Sequence, residues 1–170
     1  MDIILVFLVA PFALPIALLA WLISYVQGGR GLHRHACIGK DGKKFARFKI
    51  QTGIGGEYQK PLIRSGRFLR ASSIDELPQL WNVLIGDMSL IGPKPLAPIH
   101  QAEYDLAAPN AVYYKMRPGV TGFWQVDKRN IASIPERAKY DEIYFRSLSL
   151  ACDLKIAFRT VFVVFQMAGK

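Results

Sequence analysis

Cysteine is nearly absent from these 170 residues: only Cys37 and Cys152 occur, and neither sits in a C-x-x-C or Cys/His cluster. A disulfide framework and a zinc finger are thereby excluded, and both thiols are expected to be free and reduced on the cytoplasmic side. Helix-turn-helix, zinc-finger and ribonucleoprotein motifs are also missing, so no nucleic acid is expected as a partner. Internal repeats and low-complexity tracts are absent too, which excludes solenoids and flexible linkers. Charge, finally, is missing from Ile3 to Val26, where only Ser24 and the Tyr25 hydroxyl are polar.

That uncharged run explains why a chain of 51% hydrophobic residues has a mean hydropathy of +0.17, high for a freely soluble domain. At ~1.5 Å per residue it is long enough to cross a hydrocarbon core of ~30 Å. Asp2 stands where a cleaved signal peptide would carry basic residues. Pro11 and Pro15 lie near the middle of the run, and each removes a backbone N–H and crowds the carbonyl four residues earlier. Two arrangements fit: a kinked transmembrane helix, or a helix-break-helix hairpin that enters one leaflet and returns to the same face. The Trp21 indole is expected at the membrane interface.

Acidic residues are scarce where basic ones crowd. Between Arg30 and Arg70 there are eleven basic residues and two acidic ones, a surplus equal to the whole net charge of +9. Such a block beside an apolar run suits a solvated face, a surface for anionic lipid or a site for anionic substrates. It also places the following domain in the cytoplasm under the positive-inside rule. Residues 1–29 are thus expected to form the membrane segment and 30–170 a single small domain.

Along that domain, Gly39-Lys40-Asp41-Gly42 reads as a tight turn and Lys43 to Lys49 as a short strand. Ile63 to Ala71 suits a short amphipathic helix with a basic face, and Leu77 to Ile85 a helix stopped by Gly86, with Trp81 in the core. Gly92 to Pro98 carries three prolines and reads as a rigid loop bearing Lys94. Tyr104 to Met116 is expected as helix interrupted at Pro109, and a charged helix is expected from Pro135 to Phe145. Leu148 to Met167 is apolar over most of its circumference, with the charges Asp153, Lys155 and Arg159 interrupting it early, which suits a helix lying in the interface. The fold class that follows is α+β, mostly α-helical.

Asp75-Glu76 is the centre of chemical interest, with two readings. Ser73-Ile74-Asp75-Glu76 fits a capping box, and acids in a first helical turn are favoured by the helix dipole. Alternatively, one carboxylate attacks phosphorus while its neighbour holds a divalent cation, and lysines and arginines take phosphate oxygens. Lys49, Arg70, Lys94, Arg117 and Arg129 are the candidate phosphate ligands; prolines fix the loops of Lys94 and Arg117. His33, His35 and His100 are expected to face solvent.

The run from Arg70 through Asp75-Glu76-Leu77-Pro78-Gln79 to Gly92-Pro93-Lys94-Pro95 carries a resemblance. It continues in Arg117-Pro118-Gly119-Val120-Thr121-Gly122-Phe123-Trp124-Gln125-Val126, Arg129-Asn130, Asp141 to Tyr144 and Ser149 to Ile156, with Gly39 to Phe45 and Lys49 upstream. The chain resembles the bacterial sugar transferases that are monotopic polyprenol-phosphate phosphoglycosyl transferases. The resemblance implies transfer of a sugar phosphate from a nucleoside diphosphate sugar, usually a UDP-sugar, to polyprenol (undecaprenyl) phosphate, with release of UMP. That step initiates assembly of exopolysaccharide, lipopolysaccharide and other glycoconjugates. By the same resemblance Asp75 would be the nucleophile, Glu76 would bind Mg2+, and Asp75 and Glu76 together would be catalytic. The N-terminal segment would be a re-entrant helix-break-helix and the domain would carry interfacial amphipathic helices. The setting implied is the cytoplasmic face of the bacterial inner membrane, in contact with membrane lipid; a homodimer stays open.

The chain departs from the family pattern at several positions. Ala10-Pro11, with Leu14-Pro15 as a second break candidate, stands for the usual Ser-Pro. Cys37 and Lys94 each replace a common arginine, Lys49-Ile50-Gln51-Thr52-Gly53 replaces Lys-Phe-Arg-Thr-Met, and the loop from Gly53 to Arg64 is shorter. Lysine lacks arginine's bidentate fork, so phosphate geometry at position 94 is expected to change. These changes keep an alternative in play: a catalytically silent relative that binds polyprenol phosphate or scaffolds a glycan-assembly complex. A basic peripheral membrane module without a small-molecule site is the third reading, and it leaves the proline-fixed cations unexplained.

Overall fold

The computed structural model describes residues 2–54, 61–108, 112–127 and 133–165. Its first element is one helix, α1 (Asp2–Val26), with Pro11 and Pro15 inside it. The expected break into two helices is not present as an interruption: the prolines take the N–H partners from the carbonyls of Phe7 and Pro11, yet the backbone stays helical through both. Four positions of α1 are buried, Val6, Ala13, Ala20 and Ser24, and their spacing draws one narrow stripe. The remaining surface exposes Ile4, Phe7, Leu8, Phe12, Leu14 and Leu18.

The stripe is fastened along its whole length. In the first turn Ser89 Oγ donates to Asp2 Oδ2 at 2.7 Å. Val6 then packs with Val83 and Met88, and Ala20 with Ile50, Ile63 and Leu69. In the last turns Ser24 Oγ donates to the Gln51 carbonyl at 2.6 Å, and just beyond, Gln27 Oε1 accepts from Ser65 N and Oγ. Trp21 is exposed and stacks on Tyr25, ring centroids 5.7 Å apart.

Strands β1 (Leu32–Ile38) and β2 (Lys44–Ile50) form an antiparallel hairpin in the register Leu32↔Ile50 to Ile38↔Lys44. The turn between them has Asp41 and Gly42 at positive φ, matching the expected Gly-Lys-Asp-Gly turn. Alternation puts His33, His35 and Cys37 on one face with Phe45, Arg47 and Lys49 opposite them. Cys37 and Cys152 are both free, the former buried.

Next come α2 (Gly66–Ala71), a 3-10 turn over Ile74–Glu76 and α3 (Gln79–Leu84). The capping box expected at Ser73 does not form: Ser73 is left-handed at φ 58°, with no side-chain cap bond. A capping box does form at Ser133 and Glu136, where α6 (Ile134–Arg146) begins. Trp81 is 58% exposed rather than in the core, because α3 turns Val83 and Asn82 inward.

Strand β3 (Ser89–Ile91) pairs in parallel with β4 (Gly119–Thr121), joined by a connection that contains α4 (Gln101–Ala107) and a 3-10 turn at Val112–Lys115. Pro109, the expected interruption, lies outside the described residues. Phe123 opens a short helix, α5 (Phe123–Asp127). Helix α7 (Leu150–Phe165) buries Ile156 against Ile91, Val112, Met116 and Tyr144. Its outward side exposes Leu150, Leu154, Phe158, Val161 and Phe162.

Candidate active site

Asp75 and Glu76 sit on the 3-10 turn between α2 and α3, and β2 lies across from them. Lys49 Nζ reaches both, 2.7 Å from Glu76 Oε1 and 3.3 Å from Asp75 Oδ2. The trio opens into a cavity of about 500 Å³. Its polar lining includes His33, His35, Gln51, Thr52, Arg70, Ser72 and Lys94, and its apolar lining includes Leu77, Leu80, Val120, Val126, Val163 and Val164. One cavity thus combines a carboxylate pair, several cations and an apolar wall from α7.

The two carboxyls differ electrostatically. Burial raises the proton affinity of Asp75, the Lys49 charge opposes it, and the Glu76 charge adds to it; the net direction is up. Burial also pushes Glu76 up, but Lys49, Lys94 and Arg47 outweigh it and hold that carboxyl at about 2. Asp75 is therefore the more basic carboxylate and Glu76 the permanently ionised one.

Lys94 is held by its surroundings. Its Nζ lies 5.2 Å from the centre of the Trp124 ring, and the Arg137 guanidinium lies 5.6 Å from the same ring. Arg137 also donates from Nη2 to the Lys94 carbonyl at 3.0 Å. Burial, helped by the charges of Lys49, Arg47 and Arg137 and opposed by Glu76, brings the Lys94 ammonium down to about 8. The Nε groups of Arg47 and Arg137 are buried with no hydrogen-bond partner among the described residues, so the region beside Glu76 has donors in excess. A surplus of buried donors and cations suits an anion.

Of the five expected phosphate ligands, Lys49, Arg70 and Lys94 line the cavity. Arg70 is steadied by its Nε donating to Thr52 Oγ1 at 2.7 Å. Arg117 does not join them: it is exposed and absent from the cavity wall, because its proline-fixed loop serves the β3–β4 contact instead. Arg129 lies outside the described residues. His33 and His35, expected to face solvent, line the cavity and are half-buried, while His100 is exposed. The signal for them was the hairpin turn, since folding at Gly39–Gly42 places His33 opposite Lys49. Arg47 and Arg137 carry no motif of their own and emerge only from packing, whereas Trp124 stands in the Gly122-Phe123-Trp124-Gln125 run.

Among the described residues the carboxylates lining the cavity are Asp75 and Glu76, and no group of three or more His, Cys, Asp or Glu gathers. Such a set fits magnesium, which takes one or two carboxylates and completes its shell with water and substrate phosphates.

The sequence profile of the family described as bacterial sugar transferase matches residues 1–167. The chain is 34% identical to the UDP-galactose-lipid carrier transferase of Erwinia amylovora, over 91% of this chain and 37% of that protein. It is 37% identical to the UDP-glucose:undecaprenyl-phosphate glucose-1-phosphate transferase of Caulobacter vibrioides, over 95% of this chain and 67% of the relative. It is 33% identical to the exopolysaccharide production protein ExoY of Rhizobium meliloti, over 82% of this chain and 72% of the relative. Against the Erwinia amylovora relative and the Salmonella typhimurium undecaprenyl-phosphate galactose phosphotransferase, the chain spans about two fifths of the longer protein. Its match is nonetheless continuous from the apolar helix through the carboxylate pair to α7, and the chain belongs to the bacterial sugar transferase family.

Proposed function

We propose that the chain transfers a sugar phosphate from a UDP-sugar to polyprenol phosphate at the cytoplasmic face of the inner membrane. The observation that carries this reading is the carboxylate pair, Asp75 buried and Glu76 half-buried, bridged by Lys49 in a cavity with both cationic and apolar walls. An Asp75 oxygen attacks the sugar-bearing phosphorus, the bond from that phosphorus to the UMP oxygen breaks, and UMP leaves with the electron pair. An oxygen of the lipid phosphate then attacks the same phosphorus, and Asp75 departs as a free carboxylate. Asp75 suits the nucleophile's part because it is the more basic of the two carboxylates. Glu76 would hold Mg2+, which supplies charge neutralisation at the diphosphate when bound. Lys49, Arg70 and Lys94 bind phosphate oxygens, and the valines of α7 and α5 meet the prenyl chain.

The same reading extends to the membrane. Both ends of α1 are tied to one domain, Asp2 to Ser89 and Ser24 to Gln51. A helix so docked keeps its two ends on the domain's side of the bilayer, which supports a re-entrant placement in one leaflet with Pro11 or Pro15 as its bend. The exposed apolar side of α7 carries Lys155 and Arg159 nearby and lies in the interface.

The test incubates the full chain in detergent with magnesium and a panel of UDP-sugars, with and without undecaprenyl phosphate. UMP release that disappears in Asp75→Asn, with label retained on the wild-type protein before lipid is added, is the expected result. Lipid binding with no UMP from any donor would favour the silent relative.

A further inference from the structure

His33 and His35 line the cavity, yet the proposed reaction gives neither of them a part. Register sets His33 across from Lys49 and His35 across from Arg47, and directly opposed side chains on one face of an antiparallel pair have Cβ atoms ~4.5–5.5 Å apart. Lys49 is the residue that touches both carboxylates. The two imidazoles meet edge to face, centroids 4.3 Å apart and planes at 70°, so each limits the rotation of the other.

The chemistry of His35 differs from that of the cations around it. Burial, then the charges of Arg47, His33 and Lys49, brings the His35 imidazole down to about 4. At neutral pH it offers one N–H donor and one nitrogen acceptor and no charge. It does not screen a phosphate, and the nearby arginine and lysine also oppose a metal cation on the His-x-His pair. An uncharged ligand rich in hydroxyl groups suits these two rings.

Direction comes from the chemistry at phosphorus. In an in-line displacement the leaving nucleotide is opposite the attacking Asp75 oxygen, whereas the sugar oxygen is equatorial, to the side of the nucleophile. The three equatorial oxygens, two of them phosphoryl oxygens and the third the sugar's, therefore face the lateral neighbours of Asp75. Lys49 is such a neighbour, and His33 and His35 extend the same sheet face from it.

We propose that His33 and His35 read the sugar of the donor, exchanging hydrogen bonds with its ring hydroxyls and so selecting among epimeric UDP-sugars. This rests on the assignment of Asp75 as nucleophile toward a UDP-sugar. The experiment labels the imidazoles of the full chain in detergent with 13C at Cε1 and adds UDP-glucose, UDP-galactose or UMP. His100, exposed and outside the cavity lining, is the internal control, identified by His100→Gln. UDP-sugars are expected to move the His33 and His35 signals, differently for the two epimers, while UMP leaves them in place. Equal movement with UMP would assign the pair to the nucleoside and overturn the proposal, as would no movement with any ligand.

Kinetics give the second readout. His33→Phe and His35→Gln, which keep ring shape or an amide donor, are expected to change the ratio of kcat/KM between the two epimers by about tenfold, the scale of a lost hydrogen bond. UMP inhibition and the KM for undecaprenyl phosphate should stay as in wild type. An unchanged ratio in active variants would overturn the proposal. Failure of wild type to release UMP would sink the transferase reading on which the proposal rests, and the imidazole signals tell the two failures apart because they report binding without turnover.

Discussion

Lys49 Nζ lies 2.7 Å from Glu76 Oε1, and the same nitrogen is 3.3 Å from Asp75 Oδ2. One ammonium thus serves two adjacent carboxylates whose side chains are 7% and 21% exposed. Without it, two negative charges would share a poorly solvated site, which raises their proton affinity and destabilises the fold.

Lys49→Met is therefore expected to be inactive and less stable, by about 3–5 kcal/mol for a buried pair stripped of its partner. Removing the lysine raises the folded-state pKa of Asp75 further above its unfolded value, because burial and the Glu76 charge then act without its opposition. Stability lost at neutral pH is then regained as pH falls and the carboxyls take up protons. Thermal melts of wild type and variant between pH 5 and 8 check this. A deficit that stays constant across the range would show that the lysine acts only through packing.

A second prediction concerns the lysine that stands for arginine in the proline loop. Burial brings Lys94 down to about 8, against the pull of Glu76, so its charge fades as pH rises through that value. If it binds a donor phosphate, kcat/KM for the donor, which reports the free enzyme, should decline above pH 8. Arginine stays charged there, so Lys94→Arg should hold its rate at alkaline pH. The lost charge-assisted contact corresponds to about tenfold or more in wild type. Matching alkaline limbs in both proteins would remove Lys94 from the phosphate site.

Much of this site is legible in the chain's local motifs. The carboxylate pair, Lys49, Arg70 and Lys94 stand in short stretches whose chemistry is recognisable from residue type alone. Arg117 misled because a proline fixes the backbone of its loop but not the direction of a neighbouring side chain. Ser73 misled because the capping-box pattern depends on an extended backbone, and here φ is 58°. His33 and His35 were hidden for a different reason: they reach Lys49 through a pairing across the hairpin, and alternation in one strand does not disclose what faces it. The α1 run showed its apolar character plainly, but the narrow stripe of Val6, Ala13, Ala20 and Ser24 that docks on the domain shares its composition with the exposed sides.

Asp141 provides a stability test away from the chemistry. Burial raises its carboxyl to about 7, although the Tyr104 hydroxyl, donating to Oδ2 at 2.8 Å, and the Arg137 charge oppose the rise. Between the unfolded value of 3.8 and about 7, the folded chain keeps a proton that the unfolded chain has lost. Stability should fall as pH rises through that window and level off above it, by about 1.4 kcal/mol per unit of pH. Asp141→Asn accepts from Tyr104 without titrating, so its melting temperature should gain on wild type from pH 5 to pH 7.5. Parallel pH profiles would show that Asp141 is ionised throughout.

The loop that bears Lys94 depends on close backbone contact. A side chain at Gly119 would run into the backbone N and Cα of Gly92 and the carbonyl of Thr121, and one at Gly122 into the carbonyl of Gly92. These atoms belong to the β3–β4 pairing, where Gly92 N donates to Thr121 O at 2.9 Å and Gly119 N to Pro93 O at 2.8 Å. They cannot yield as a flexible side chain would. Gly86 is the informative contrast, since it has φ +86° but open space around its missing Cβ. Gly86→Ala should cost about 1 kcal/mol from the left-handed backbone alone. Gly119→Ala should cost clearly more and should also weaken donor binding, because it pushes apart the two backbones that fix Pro93 and Lys94. Urea unfolding of both variants, paired with the donor KM, separates the two effects. Similar losses of stability with an unchanged KM would mean that the β3–β4 contact supports the fold without setting the position of Lys94.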